Sequence, residues 1–328
     1  VAGPMRFATI WGEAEITAVT DVAEGIREVA LAPLGRPVAR FRTGAHLDVA
    51  LVIGERPDTR SYSLVGRPGE PCYRIAVKRR ADGRGGSQAM WRMQRGARLS
   101  ISEPIDNFSV EPGRSAYLLV AGGIGITPLV GMAEELVARG ADVRLLHAVR
   151  YPQEAAYAQR LSACLGARYR LHASVQGDRL DLAEAFAGLA PGGLAAICGP
   201  MPMLDAARRT WAAQGRPAAD LRWETFGSSG NLSTEPFLVK LPRFGREIAV
   251  PASRSLLEAL EEAGLDVISD CRRGECGLCA VDVLACDGEI DHRDVFFSAH
   301  QKGENRKLCA CVSRAHGTLT IDTAYRPD

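Results

Sequence analysis

The stretch Asp270-Cys271-Arg272-Arg273-Gly274-Glu275-Cys276-Gly277-Leu278-Cys279 decides how the last third of the chain folds. Its three cysteines stand in a C-x4-C-x2-C array, and Cys309 and Cys311 follow about thirty residues later. Three close thiolates and one distant one make the plant-type [2Fe–2S] spacing. Gly274 and Gly277 suit a loop that wraps a cluster, since glycine lets backbone N–H groups approach the sulfurs. A structural zinc site would usually pair its ligands as two short C-x2–4-C units; here three crowd one loop. A disulfide framework belongs to small secreted domains. Nine cysteines in 328 residues, with no secretory signal read at the N-terminus, fit a reducing cytoplasm instead.

Cys309 and Cys311 lie two apart, so on an extended strand both would face the same way. The segment Cys311-Val312-Ser313-Arg314-Ala315 resembles the end of ferredoxin-like domains, where the last ligand directly precedes a final strand, here Thr318 to Ile321. The expected ligand set is therefore Cys271, Cys276, Cys279 and Cys311, with Cys311 preferred over Cys309.

Working outward from this loop, the chain divides into three. Residues 5–113 carry short alternating segments separated by turn residues, among them Ala14 to Val19, Ile26 to Leu31, Leu47 to Val52 and Tyr73 to Lys78, and predict an antiparallel β-barrel. Residues 114–226 open with the continuous apolar run Tyr117 to Ala121, as a strand buried on both faces requires. Helical and strand patterns then alternate, which implies a parallel sheet covered by helices. Helices are expected at 129–139, 154–164, 182–187 and 202–214. Residues 227–235, Gly-Ser-Ser-Gly-Asn-Leu-Ser-Thr-Glu, read as a linker. Residues 236–328 form the cluster domain, of β-grasp type, with a helix over 255–263 leading to the cysteine loop.

Gly122-Gly123-Ile124-Gly125-Ile126-Thr127-Pro128 follows the buried strand and precedes a helix, the context of a phosphate-binding turn. Thr127 is placed at the N-cap and Pro128 at the first helical position. Cys198-Gly199-Pro200 ends a later strand and would face the same crevice. In the first domain, Arg60-Ser61-Tyr62-Ser63 resembles the Arg-x-Tyr-Ser flavin signature of the ferredoxin–NADP⁺ reductase superfamily, which implies a cation for a phosphate, a ring to cover a flavin edge and a hydroxyl near its reactive nitrogen. Gly83-Arg84-Gly85-Gly86-Ser87, after the strand that ends at Lys78, could cradle a terminal phosphate with N–H groups, guanidinium and hydroxyl.

Together these motifs resemble the ferredoxin–NADP⁺ reductase superfamily and, within it, the phthalate dioxygenase reductase family. The resemblance covers essentially the whole chain and implies the order flavin barrel, NAD domain, [2Fe–2S] domain. It implies FMN, since no separate segment is found for the adenosine of FAD, and NADH; Arg150, near the end of the second strand, is a further cofactor contact and stands where an arginine would favour the 2′-phosphate of NADPH, but no second basic residue follows it. It also implies an aromatic residue near the flavin, Phe226, which with Ser63 and Cys198 would border the reacting rings. The expected function is hydride transfer from NADH to FMN and electron exit through the cluster to the terminal oxygenase of a Rieske-type system. That encounter would be small and transient, around Arg272, Arg273 and Glu275. A cytochrome P450 acceptor, or a non-catalytic redox sensor, are the alternatives.

Bulk composition agrees with this. The net charge of +1 gives no reason for nucleic-acid binding, and no apolar run approaches the ~20 residues of a membrane span. From residue 236 onward 12 basic and 15 acidic residues leave net −3, a mildly acidic cluster domain. A cytoplasmic monomer is expected. His292-Arg293-Asp294 reads as local structure, and Cys72, Cys164 and Cys286 as inert thiols.

Overall fold

Alternating apolar and polar residues build the first sheet in the computed structural model, which describes residues 10–53, 56–80, 85–226, 235–252, 254–272 and 274–323. Arg84, Arg273 and linker residues 227–234 lie outside these. Strands β1 (Trp11–Ala23), β2 (Ile26–Pro33), β3 (His46–Ile53), β4 (Arg56–Ser63), β5 (Tyr73–Lys78) and β6 (Arg98–Ser102) pair in the order β4-β3-β6-β1-β2-β5, all antiparallel. A Leu64–Ile75 bridge brings the two edges together, as in a closed barrel. Ile16, Leu31, Leu47, Val49, Ile75 and Ile101 fill the interior, each contributing about 1.5–3 kcal/mol by burial.

The sequence reading missed α1 (Gly86–Arg92), which follows the glycine-rich turn. Trp91 pins it to the barrel: the indole N–H donates to the Val77 carbonyl at 3.1 Å, and the Arg27 guanidinium lies 4.2 Å over the ring. Seven residues are too few to show helical periodicity, so tertiary contacts hold this turn of helix.

The second sheet is parallel. It comprises β7 (Tyr117–Gly122), β8 (Val143–Val149), β9 (Tyr169–Ala173), β10 (Leu194–Cys198) and β11 (Leu221–Glu224), ordered β11-β10-β7-β8-β9. Helices α2 (Thr127–Ala138), α3 (Ala158–Leu165), α4 (Leu182–Ala187) and α5 (Met201–Ala213) form the connections. Residues 117–121 and 194–198 are buried without interruption, which explains their unbroken apolar runs. The helix expected from residue 154 starts only at Ala158. Pro152–Glu154 make a 3-10 turn, and Tyr157 adopts φ 61°, which breaks the helical path.

Barrel and parallel sheet belong to one compact unit that runs to Glu224. A Cβ on Gly131 of α2 would stand 1.8 Å from the Gly66 carbonyl oxygen, so helix and loop meet backbone to backbone. Around that contact, Tyr157 Oη donates to Glu28 at 2.8 Å and Thr43 Oγ1 to Glu135 at 2.7 Å.

The other unit contains β12 (Phe237–Leu241), β13 (Arg246–Val250), α6 (Leu256–Glu262), β14 (Ala280–Asp291), α7 (Ala299–Glu304), β15 (Lys307–Cys309) and β16 (Arg314–Asp322). The strand order is β13-β12-β16-β14-β15; β12 and β16 run parallel and the remaining pairs antiparallel. Ser255 and Glu258 form a reciprocal capping box that starts α6. Arg314, buried to 4%, donates to the carbonyls of Glu235, Pro251 and Arg254 and stacks on Phe237. The arginine after the cysteine pair thus ties the first residues of this unit to its last strand. Among the described residues, no helix is long and apolar enough to cross a membrane.

Candidate nucleotide, flavin and cluster sites

The strand order reverses between β7 and β10, so their carboxyl ends open a crevice where ligands of parallel sheets bind. Gly122 ends β7, Gly123–Ile126 form a 3-10 turn, and α2 follows with Pro128 in its first turn. A Cβ on Gly125 would lie 2.1 Å from the Cys198 carbonyl oxygen and 3.0 Å from Gly199 N; one on Gly199 would lie 3.2 Å from Gly122. The two motifs read from sequence therefore press together without side chains between them. This bare double turn, at a helix start, fits a pyrophosphate that must approach N–H groups closely.

The Thr127 expectation is corrected. It lies inside α2 rather than at its N-cap, because the 3-10 turn precedes it, and its hydroxyl donates to the Ile124 carbonyl at 3.1 Å. Ile126 is wholly buried, so any contact it makes with a ligand is through its backbone. Arg150 is exposed just beyond β8, its guanidinium 5.3 Å over the Tyr151 ring.

Ser63, the last residue of β4, is buried and donates to Glu224 Oε2 at 3.3 Å. Glu224 is the register partner of Cys198 across β10 and β11. The flavin-type motif of the barrel and the nucleotide-type motif of the sheet therefore meet at one place, with Glu224 as the link. Glu224 leaves no signal in the sequence, because a single carboxylate has no spacing signature.

Arg60 pairs with Asp58 and donates to the Thr59 carbonyl at 2.9 Å. Its side chain runs across Gly86, where a Cβ would stand 2.8 Å from Nε. Gly85 has φ 84°, and Ser87 Oγ accepts the Arg80 N–H at 3.2 Å. Arg60 and the start of α1 thus form a cradle in which a side chain at position 86 would displace the Arg60 side chain, an arrangement that fits a terminal phosphate. Lys78 is committed to Glu154 at 3.1 Å. Burial pushes the Tyr62 phenol up, against the lowering by Arg60, so its hydroxyl stays protonated. Phe226 and Pro200 group with the cluster-bearing unit.

In that unit, Cys271 Sγ accepts the N–H groups of Glu275 and Cys276, each at 3.4 Å. Thiol donation from Cys309 and Cys311 lowers Cys279 to about 3. Cys309 and Cys311 differ in their further neighbours. Cys311 also receives the Gly274 N–H and lies near Cys271, whereas Cys309 ends β15 and lies near Asp294. The chain turns after Cys309, whose carbonyl accepts the Ser313 N–H at 3.0 Å, so the pair does not share one extended strand. Gly274, at φ 78°, is enclosed by Val312 and Asp294, and its carbonyl accepts the Val295 N–H at 2.9 Å.

Arg293 pairs with Asp291 at 2.7 Å and Asp294 accepts the Phe297 N–H at 2.8 Å. The His-Arg-Asp segment is thus part of the scaffold behind the loop. Arg272 is exposed and pairs with Glu261 at 2.6 Å, but Glu275 is half-buried, not exposed as expected. Leu278 and Phe296, 52% and 47% exposed, are the large apolar side chains beside the loop, with the Phe296 ring against Gly277.

Comparison with known proteins follows this division. The 2Fe-2S iron-sulfur cluster binding domain family matches residues 239–316, and the oxidoreductase NAD-binding domain family residues 119–209. The chain is 36% identical over 309 residues to the heme-dependent oxidative N-demethylase beta subunit of Ectopseudomonas mendocina, covering 93% of this chain and 96% of that one. It is 35% identical over 305 residues to phthalate dioxygenase reductase of Burkholderia cepacia, covering 88% and 90%. A solved phthalate dioxygenase reductase, described as a modular structure for electron transfer from pyridine nucleotides to [2Fe-2S], superposes with a TM-score of 0.77 at 32% identity. That match covers 95% of this chain and 98% of the other.

Proposed function

The chain belongs to the phthalate dioxygenase reductase family, and from that premise we propose that it is the NADH-oxidising reductase component of an oxygenase or demethylase system. FMN would supply a hydride acceptor able to release electrons singly, and a [2Fe–2S] cluster held by four cysteines would carry them outward. The observation that carries this reading is the convergence of Ser63, Glu224 and Cys198, because it sets the ends of the flavin and nucleotide motifs side by side.

The protein's own groups have separate tasks. The Gly122–Gly125 turn and Gly199 present backbone to the NADH pyrophosphate, and Pro128, with its fixed φ and no N–H of its own, suits the first turn of α2. Arg60, Gly85, Gly86 and Ser87, with Arg84, hold the FMN phosphate; Tyr62 covers the ring, and Ser63 sets its hydroxyl oxygen beside it while its proton goes to Glu224. Cys271, Cys276, Cys279 and Cys311 ligate the irons, with the Gly274 contact to Cys311 as the reason for choosing it. We keep the assignment of residues 5–113, 114–226 and 236–328 to flavin, nucleotide and cluster.

The acceptor is a terminal oxygenase component, met transiently by a monomeric reductase in the cytoplasm. Among relatives, one serves phthalate dioxygenase and another belongs to a heme-dependent demethylase. Rieske-type chemistry is the reading carried over from the former. The test is anaerobic: NADH should bleach the flavin and then the cluster, and the reduced protein should reduce cytochrome c. A protein whose cluster reduces only with dithionite, never with NADH, refutes the route.

A further inference from the structure

We propose that His147 is a positioning residue for the pyrophosphate of NADH, aiming the backbone of the Gly123–Ile126 turn through the Gly123 carbonyl. His147 lies on β8 and is wholly buried. Its Nε2 stands 3.1 Å from the Gly123 carbonyl oxygen and its Nδ1 3.2 Å from Tyr169 Oη. A carbonyl can only accept, so Nε2 carries the proton; Nδ1 is then bare and accepts from the tyrosine hydroxyl. The result is a directed chain, Tyr169 O–H to His147 Nδ1 and His147 Nε2–H to Gly123.

Gly123 has φ 55° and opens the turn. Across a trans peptide the carbonyl and the following N–H point in opposite directions. Holding the Gly123 carbonyl against the imidazole therefore turns the Ile124 N–H away from it. First-turn N–H groups have no partner within their own helix, so this one is available to an anion. Burial, opposed only by the Gly123 bond, lowers the imidazole to about 4, and the same neutral tautomer persists through neutral pH.

The alternative is a histidine that merely satisfies the core. The two separate through a probe with pyrophosphate but no nicotinamide, and a hydride donor with no phosphate. The inference rests on the nucleotide reading of the turn, and the probes distinguish the two failures. ADP-ribose binding to the flavin- and cluster-loaded protein is measured by calorimetry; flavin reduction by N-benzyl-1,4-dihydronicotinamide is followed in parallel.

His147→Leu should weaken ADP-ribose binding about five- to tenfold, the worth of one well-aimed hydrogen bond, and leave reduction by the phosphate-free donor unchanged. His147→Gln, which keeps an N–H donor, should restore most of the affinity. Undiminished ADP-ribose affinity in His147→Leu overturns the proposal, and so does a parallel loss of both readouts. Should the leucine variant fail to fold, Tyr169→Phe removes only the hydroxyl that fixes the tautomer; a two- to threefold weaker affinity supports the proposal and an unchanged one overturns it. If the unsubstituted protein does not bind ADP-ribose, the nucleotide reading falls, and this proposal with it.

Discussion

Ser63 and Glu224, 161 residues apart, share a hydrogen bond of 3.3 Å at the meeting point of barrel and parallel sheet. Both are buried, so the hydroxyl has one defined direction in which to send its proton. Ser63→Ala should slow flavin reduction at saturating NADH about tenfold, an effect of order 1 kcal/mol. Rapid-mixing absorbance under anaerobic conditions measures it. Glu224→Gln retains an acceptor oxygen and should cost less than Glu224→Leu; equal losses would deny the carboxylate a role as Ser63's acceptor.

At Gly125 the relevant distance is between backbones. Gly125→Ala places a methyl group 2.1 Å from the Cys198 carbonyl oxygen, and β10 must shift to admit it. A loss of about 1–3 kcal/mol in unfolding free energy is expected from such overpacking, together with weaker NAD⁺ binding. Gly303→Ala, whose Cβ would meet nothing within 4 Å, serves as the control. Denaturant unfolding of the two variants should separate them clearly.

The fourth cluster ligand can be decided by a pair of serine substitutions. Cys311→Ser should abolish the visible iron–sulfur absorption and lower bound iron, while flavin content and reduction by NADH persist. Cys309→Ser should keep both iron and colour, because Cys309 ends β15 beside Asp294, whereas Cys311 receives the Gly274 N–H of the cluster loop. Reversed results would move the ligand to Cys309.

Acid should act on the protein partly through His147, whose imidazole is lowered from 6.5 to about 4. Above pH 6.5 neither folded nor unfolded chain protonates it, and its contribution to stability is fully present. Between 6.5 and 4 the unfolded chain takes up the proton and the folded chain does not, so stability is lost as pH falls, by about 3 kcal/mol at most. His147→Gln removes this component. Unfolding free energies measured from pH 7 to 4.5 should therefore fall less steeply in the variant, and identical slopes would count against a neutral buried imidazole.

Much of this architecture was legible because it depends on repeated local signals. Alternation marked the barrel strands, unbroken apolar runs marked β7 and β10, and glycine with cysteine spacing marked the loop around Cys271. Other features depend on long-range contacts that leave no pattern. Helix α1 is too short for a period and is held by Trp91 and Arg27. Thr127 looked like a cap until the 3-10 turn before it was known, and Tyr157 broke a helix through one backbone angle. Glu224 and His147 are single residues whose roles come from partners on other strands.

The contact of Gly131 with Gly66 has a bearing on how such reductases can be recombined. A graft that joined the barrel of one relative to the parallel sheet of another would have to match two side-chain-free surfaces at once. Any residue larger than glycine at position 131 would pry the halves apart by more than a carbon–oxygen contact allows. The exchangeable part is thus the barrel together with its sheet, and chimaeras cut after Glu224 should express as folded flavoproteins where those cut near residue 113 do not.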